Sequence, residues 1–321
     1  MYIKKIGINY NGELSPEARN IVAELENPHA PPVQEMDLNQ ARTSNALLAY
    51  DIDCVSSGLS INDKLLKTDQ GDINCRIYSP EKGTDFPLLI FAHGGCWTFC
   101  GLDSHDNICR YFAKHINCIV ISVDYRLAPE SPFPSGLNDY TAVIRWCLNN
   151  AQSINGDSNK IALAGDSAGG NLAAVAAQRF QGESRIRHQL LLYPICDVHS
   201  DIDSSMLKYS SGYFFTKEVL DWTSSLYTRD TCSSHEEISP INGNITSKLC
   251  SATIILSECD ILCHQGLVYA KKLNLSQVPV NCYLYQGMPH AFIAMSGRLE
   301  LGKNALNLCV KEVTTAFLKP S

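Results

Sequence analysis

Short apolar runs that alternate with amphipathic helical patterns constrain this chain more than any other feature. Cys118 to Val123, Ile161 to Ala164, Gln189 to Leu192, Thr253 to Leu256 and Val280 to Tyr285 read as buried strands. Helical spacing of apolar residues fills the intervals, at Asn107 to His115, Leu137 to Asn149, Ala168 to Phe180, Gln265 to Leu273 and Leu301 to Phe317. Parallel neighbours need crossovers, so this rhythm predicts an α/β fold whose mostly parallel sheet is flanked by helices. Ahead of it, Asn62 to Leu66, Ile73 to Tyr78 and Leu88 to Ala92 add strands punctuated by Gly71, Pro80 and Pro87.

Two regions break the rhythm. In residues 1–50, Ser15-Pro16-Glu17 supplies an N-cap, a first-turn proline and an acidic start for a helix to about Glu26. A second helical pattern runs through Leu38, Ala41, Ala46, Leu47 and Tyr50, giving an N-terminal helical arm. The other break is residues 198–240, where Met206, Tyr213, Phe214, Phe215, Val219, Trp222 and Tyr227 lie in helical segments without a strand. It reads as an insertion over the sheet. No repeat or linker divides the rest, so residues 51–321 form one domain.

With 45% hydrophobic and 18% charged residues over 321 positions, the chain can bury a large core and is not disordered. A net charge of -7 with scattered Lys and Arg argues against nucleic acid as a partner. The apolar runs are too short to span a bilayer, and residues 1–14 lack a secretory pattern, so a cytosolic location without stable membrane insertion is expected. The 14 cysteines are spread through apolar runs and read mostly as buried thiols. Neither Cys96, Cys100 and His105 nor Cys259, Cys263 and His264 has the spacing of a metal site; no metal and no cofactor are expected.

Chemistry concentrates at Gly165-Asp166-Ser167-Ala168-Gly169, between a strand and a helix. A nucleophilic serine needs its oxygen exposed on such a sharp turn, and the glycines allow neighbouring backbone to approach closely. The bland alternative is an ordinary turn with a serine cap. His93-Gly94-Gly95-Cys96-Trp97 follows another strand, at the place of a loop that supplies oxyanion donors. Gly95, Cys96 and Ala168 amides are the candidate donors, with His93 and Gly94 supporting the loop. Asp260 and His290 follow later strands in the order serine, acid, histidine, with Glu258 as the rival acid. His188, His199 and His264 have no comparable placement. The predicted roles are Ser167 as nucleophile, His290 as base and Asp260 as its orienting acid.

Together with Asp124-Tyr125-Arg126-Leu127-Ala128-Pro129-Glu130 and Gly287-Met288-Pro289-His290-Ala291-Phe292, these motifs resemble the hormone-sensitive-lipase-like, or family IV, esterases of the α/β-hydrolases. The resemblance covers about residues 75 to 315. It implies the α/β-hydrolase fold and a carboxylesterase acting on small-molecule, short- to medium-chain acyl esters. It also implies a helical cap made by the arm and the insertion, and a homodimer through the last strand and C-terminal helix. Arg126 and Glu130 are expected to fix the loop beside the site, and Trp97, Tyr125 and Phe214 are candidates for the substrate pocket. One departure is Cys96, which stands where the family's loop has a third glycine. An amidase or peptidase using the same triad, and a non-catalytic ligand receptor on the same fold, are the competing readings.

Overall fold

Residues buried along their whole length build the middle of a nine-stranded sheet, as in the strand Ile119–Val123. The computed structural model describes residues 3–26, 31–46, 57–198 and 203–319. Its strands are β1 (Ile3–Ile6), β2 (Leu59–Thr68), β3 (Gly71–Pro80), β4 (Phe86–Ala92), β5 (Ile119–Val123), β6 (Gly156–Asp166), β7 (Ile186–Leu192), β8 (Ser251–Cys259) and β9 (Val280–Pro289). The helices are α1 (Pro16–Leu25), α2 (Leu38–Ala46), α3 (Asp106–Ile116), α4 (Ser135–Asn150), α5 (Ala168–Arg179), α6 (Ser204–Tyr209), α7 (Lys217–Thr228), α8 (Cys263–Leu275) and α9 (Glu300–Leu318).

The sheet order is β1-β9-β8-β7-β6-β4-β5-β3-β2. β2 and β3 are antiparallel neighbours, and β3 also runs antiparallel to β5; the remaining pairs are parallel. α3 and α9 pack together on one face, while α4 and α5 pack together on the other. This is the α/β-hydrolase fold. The parallel run has one consequence for function, because its strands all end on the same rim. His93 follows β4, Ser167 follows β6, Tyr193 follows β7, Asp260 follows β8 and His290 follows β9. The C-terminal rim is where open parallel sheets place their sites.

One expectation needs correction. Residues 1–50 are not purely helical, since Ile3 to Ile6 pair in parallel with Cys282 to Tyr285. A four-residue strand with two lysines carries too little periodicity to be recognised, and backbone pairing holds it. The same strand fills the side of β9 away from β8, so β9 is paired on both sides. The helical pattern expected to reach Tyr50 is α2; Leu47 and Tyr50, like Cys54 and His199, lie outside the described residues. Within 203–240 the described elements are helical, as expected of the insertion.

All described cysteines are free thiols, and all but Cys100, Cys232 and Cys250 are buried. Among the described residues no helix is long and apolar enough to cross a membrane.

Candidate active site

At the end of β6 the chain turns so tightly that Ser167 takes φ +54°. The turn depends on the glycines around it: a Cβ at Gly169 would collide with the Ala92 and His93 carbonyls, and one at Gly165 with Gly169. Strained serine geometry of this kind lifts the side chain off the sheet edge. The Ser167 side chain makes no capping bond to α5. The serine-cap alternative therefore fails. Its hydroxyl instead meets His290 Nε2 at 3.0 Å, and His290 Nδ1 meets Asp260 Oδ2 at 2.7 Å.

In the neutral imidazole, a proton on Nδ1 donated to Asp260 leaves Nε2 as an acceptor for the serine hydroxyl. The other oxygen of Asp260 accepts the Leu262 amide at 2.9 Å. All three side chains are buried, with Asp260 at 2% exposure and Ser167 and His290 at 5%. β8 and β9 are in register at Cys259 and Pro289, so the acid and the histidine directly follow paired residues on neighbouring strands.

Glu258 lies apart from this chain of contacts. Its Oε2 accepts the Gly287 amide at 2.9 Å, tying the acid-bearing strand to the turn before His290.

The loop after β4 is held from beneath. Asp166 Oδ1 accepts the Gly94 amide at 2.8 Å and lies 3.1 Å from His105 Nε2, whose other nitrogen meets Ser104 Oγ at 2.8 Å. His93 is fully buried, bonds through Nδ1 to the Gly94 carbonyl at 2.8 Å and stacks on Tyr125 at 4.2 Å. Burial, with His105 beside it, lowers its pKa to about 3. It is a neutral supporting group, not a base. Thr98 and Phe99 amides both donate to the Gly95 carbonyl, at 3.0 and 2.8 Å. Among the described residues the amides of Gly95 and Cys96 meet no protein acceptor. Ala168 begins α5, so its amide is one of the helix's unpaired N-terminal donors.

Cys96 adopts φ +53°, a left-handed conformation that glycine takes without strain. Its thiol lies beside Thr223 of α7, and burial pushes its pKa up to about 12. A thiol in that state is no rival nucleophile.

Tyr125 is buried beneath the loop, with its hydroxyl donating to the His93 carbonyl at 2.7 Å, so it supports the loop. Trp97 is 1% exposed and stacks on Tyr227 of α7 at 4.3 Å, packing that secures the insertion. The backbone amide of Phe214 donates to Glu26 Oε1 of the arm at 3.1 Å, and its side chain packs partly buried against the core. Its neighbour Phe215 takes the place over the site, stacking on the His290 ring at 4.6 Å. Tyr193 packs edge-on against the same ring at 5.0 Å.

Sequence reasoning passed over Asp166, His105, Tyr193 and Phe215 as site residues. Tyr193 had a usable signal, as the first residue after the strand beside the nucleophile's strand. Which of two adjacent phenylalanines stacks on His290 had none. Arg126 pairs with Asp139 and Glu130 with Arg42, both anchoring the loop after β5.

Residues 89–294 match a family described by the alpha/beta hydrolase fold. The chain is 30% identical over 296 residues to an ethyl acetate hydrolase of Pseudomonas putida, covering 87% of this chain and 91% of the relative. It is 33% identical over 285 residues to an arylesterase of Saccharolobus solfataricus, covering 87% and 92%. Among solved structures, the hyperthermophilic esterase of Pyrobaculum calidifontis superposes with TM-score 0.86 at 30% identity, covering 94% of this chain and 98% of that one.

Proposed function

This chain belongs to the hormone-sensitive-lipase-like branch of the α/β hydrolases and is a carboxylic ester hydrolase, and on that premise we propose that it cleaves short- to medium-chain acyl esters through Ser167, His290 and Asp260. The observation that carries this reading is the unbroken contact chain from the Ser167 hydroxyl through His290 to Asp260.

In this mechanism Ser167 Oγ attacks the ester carbonyl as His290 Nε2 takes its proton. Asp260 steadies the imidazolium and holds the ring's orientation. The carbonyl oxygen becomes an oxyanion received by the Gly95, Cys96 and Ala168 amides; losing one such donor costs on the order of 10²- to 10³-fold in rate. His290 then protonates the departing alkoxide, leaving an acyl-enzyme on Ser167. Water enters, gives its proton to His290 and releases the acid by the same steps in reverse. Phe215 and Tyr193 flank the imidazole and limit its contact with solvent.

We assign the cap to the arm and the insertion. Supporting this, Tyr209 and Tyr213 hydroxyls donate to the Gly12 carbonyl and Glu13, at 3.2 and 3.1 Å.

A p-nitrophenyl ester series from acetate to long acyl chains, run beside Ser167→Ala, tests the reading. Activity should peak at short to medium chains and fall at least 10⁴-fold in the variant. Near-normal turnover in Ser167→Ala would remove this serine from the mechanism, and a preference for long insoluble chains would replace esterase with lipase.

A further inference from the structure

Arg42 lies on α2, outside the motifs that mark the site, yet its guanidinium joins separate segments around it. Nε donates to the Thr98 carbonyl at 3.0 Å and Nη2 to the Ala128 carbonyl at 2.9 Å. Nη1 and Nη2 also pair with the two carboxylate oxygens of Glu130, each at 2.7 Å. Thr98 belongs to the loop after β4, whereas Ala128 and Glu130 belong to the loop after β5. Those loops are linked directly as well, because the Ala128 amide donates to the Trp97 carbonyl at 2.9 Å. A planar fork of several donors suits this task; an ammonium on a flexible stem does not.

The Arg42–Glu130 pair is partly exposed, and such pairs add little to stability. What the arginine supplies is direction. Glu130 is held low, at a pKa of about 2, by the same hydrogen bonds, so it stays an anionic anchor for the guanidinium through the neutral range. In the loop after β4, the Gly95 carbonyl is taken by the Thr98 and Phe99 amides, the Trp97 carbonyl by Ala128 and the Thr98 carbonyl by Arg42. The Gly95–Cys96 peptide plane, which carries the Cys96 amide, cannot swing without breaking the bonds to the Gly95 carbonyl, and the preceding plane, which carries the Gly95 amide, is tied through the Gly94 carbonyl to His93.

We propose that Arg42 is a positioning residue for ester cleavage, holding the loop in the conformation that presents the Gly95 and Cys96 amides to the oxyanion. The inference rests on the reading of those amides as the oxyanion hole. Arm and catalytic loop are then one device, in which a residue of α2 sets the rate without touching substrate.

The test compares Arg42→Ala, Arg42→Lys and Ser167→Ala on a p-nitrophenyl butyrate assay, together with inhibition by an aryl trifluoromethyl ketone, whose serine adduct carries an oxyanion. In Arg42→Ala, kcat should fall about 10- to 100-fold, in line with the cost of displacing a catalytic group by about an ångström. KM should stay within about threefold, and the ketone should weaken by the same factor as kcat. Arg42→Lys should fall between, and free guanidinium should restore part of the Arg42→Ala rate. Should Arg42→Ala fail to fold, Arg42→Lys carries the same comparison.

Wild-type kcat in both arginine variants beside an inactive Ser167→Ala would overturn this proposal alone. So would a loss of kcat with unchanged ketone affinity, since that separates the rate from the oxyanion. Turnover surviving in Ser167→Ala would overturn the site reading and this proposal with it.

Discussion

Cys96 concentrates two opposing effects in one residue. Holding a non-glycine residue in the left-handed region costs roughly 1–2 kcal/mol. Glycine would relieve that strain but would free the unfolded chain, at roughly 0.5–1 kcal/mol, and lose the buried thiol's contacts beside Thr223. These terms nearly offset, so Cys96→Gly should move the unfolding midpoint by only a few degrees. The amide is common to both residues, so kcat should stay within about threefold. A tenfold drop in kcat, measured with the folded fraction checked by circular dichroism, would give the thiol a part in the reaction. The resemblance marked Cys96 as a departure, but its φ was not legible from its neighbours. Ser167, Asp260 and His290 were each placed after a strand by local pattern, and the structure brings the three within hydrogen-bond reach.

Among the elements, the insertion reaches the catalytic histidine through the ring of Phe215. Phe215, in the turn between α6 and α7, stacks on His290, whereas the Phe214 backbone amide ties the same turn to Glu26 of the arm. Aromatic pairs contribute roughly 0.5–1.5 kcal/mol beyond their buried area, enough to alter rates by about two- to tenfold if the contact holds the imidazole in its reactive orientation. Phe215→Leu keeps an apolar side chain there and removes the stack. Turnover should drop by that factor while the unfolding midpoint shifts by no more than a few degrees; an unchanged kcat would leave Phe215 as packing alone. Strand and helix positions were largely legible because hydrophobic periodicity is local. β1 was not legible, since its place depends on β9, far away in the chain.

For the whole molecule, buried histidines set the acid side of stability. Burial lowers the pKa of His93 to about 3, and that of His188, between Ser251 and Thr253, to about 4. In the unfolded chain each would bind a proton near the ordinary histidine value of about 6.5. A group whose folded pKa is depressed favours the deprotonated fold, so its contribution is complete above about pH 6.5 and declines as the pH falls toward 4. The two histidines together should cost roughly several kcal/mol over that window. Carboxylates held low by arginines, such as Glu130 and Glu183, act in the same direction only at more acid pH. The unfolding midpoint should therefore begin to fall below about pH 6.5, with close to two protons taken up on unfolding near pH 5, measurable by calorimetry in buffers of different ionisation enthalpy. A midpoint flat from pH 7 to 5 would contradict this account of His93 and His188.

By itself the sequence determined the fold class, the strand ends that carry serine, acid and histidine, and the glycine loop beside them. Those features follow from periodicity and turn chemistry within a few residues. Only the tertiary structure decided that Arg42 grips the loop, that Phe215 and not Phe214 covers His290, that Tyr125 lies beneath the site and that β1 closes the sheet edge. Each is a meeting of segments distant in the chain, and which side chain points inward there is set by packing over the whole core, a quantity that no local spacing contains.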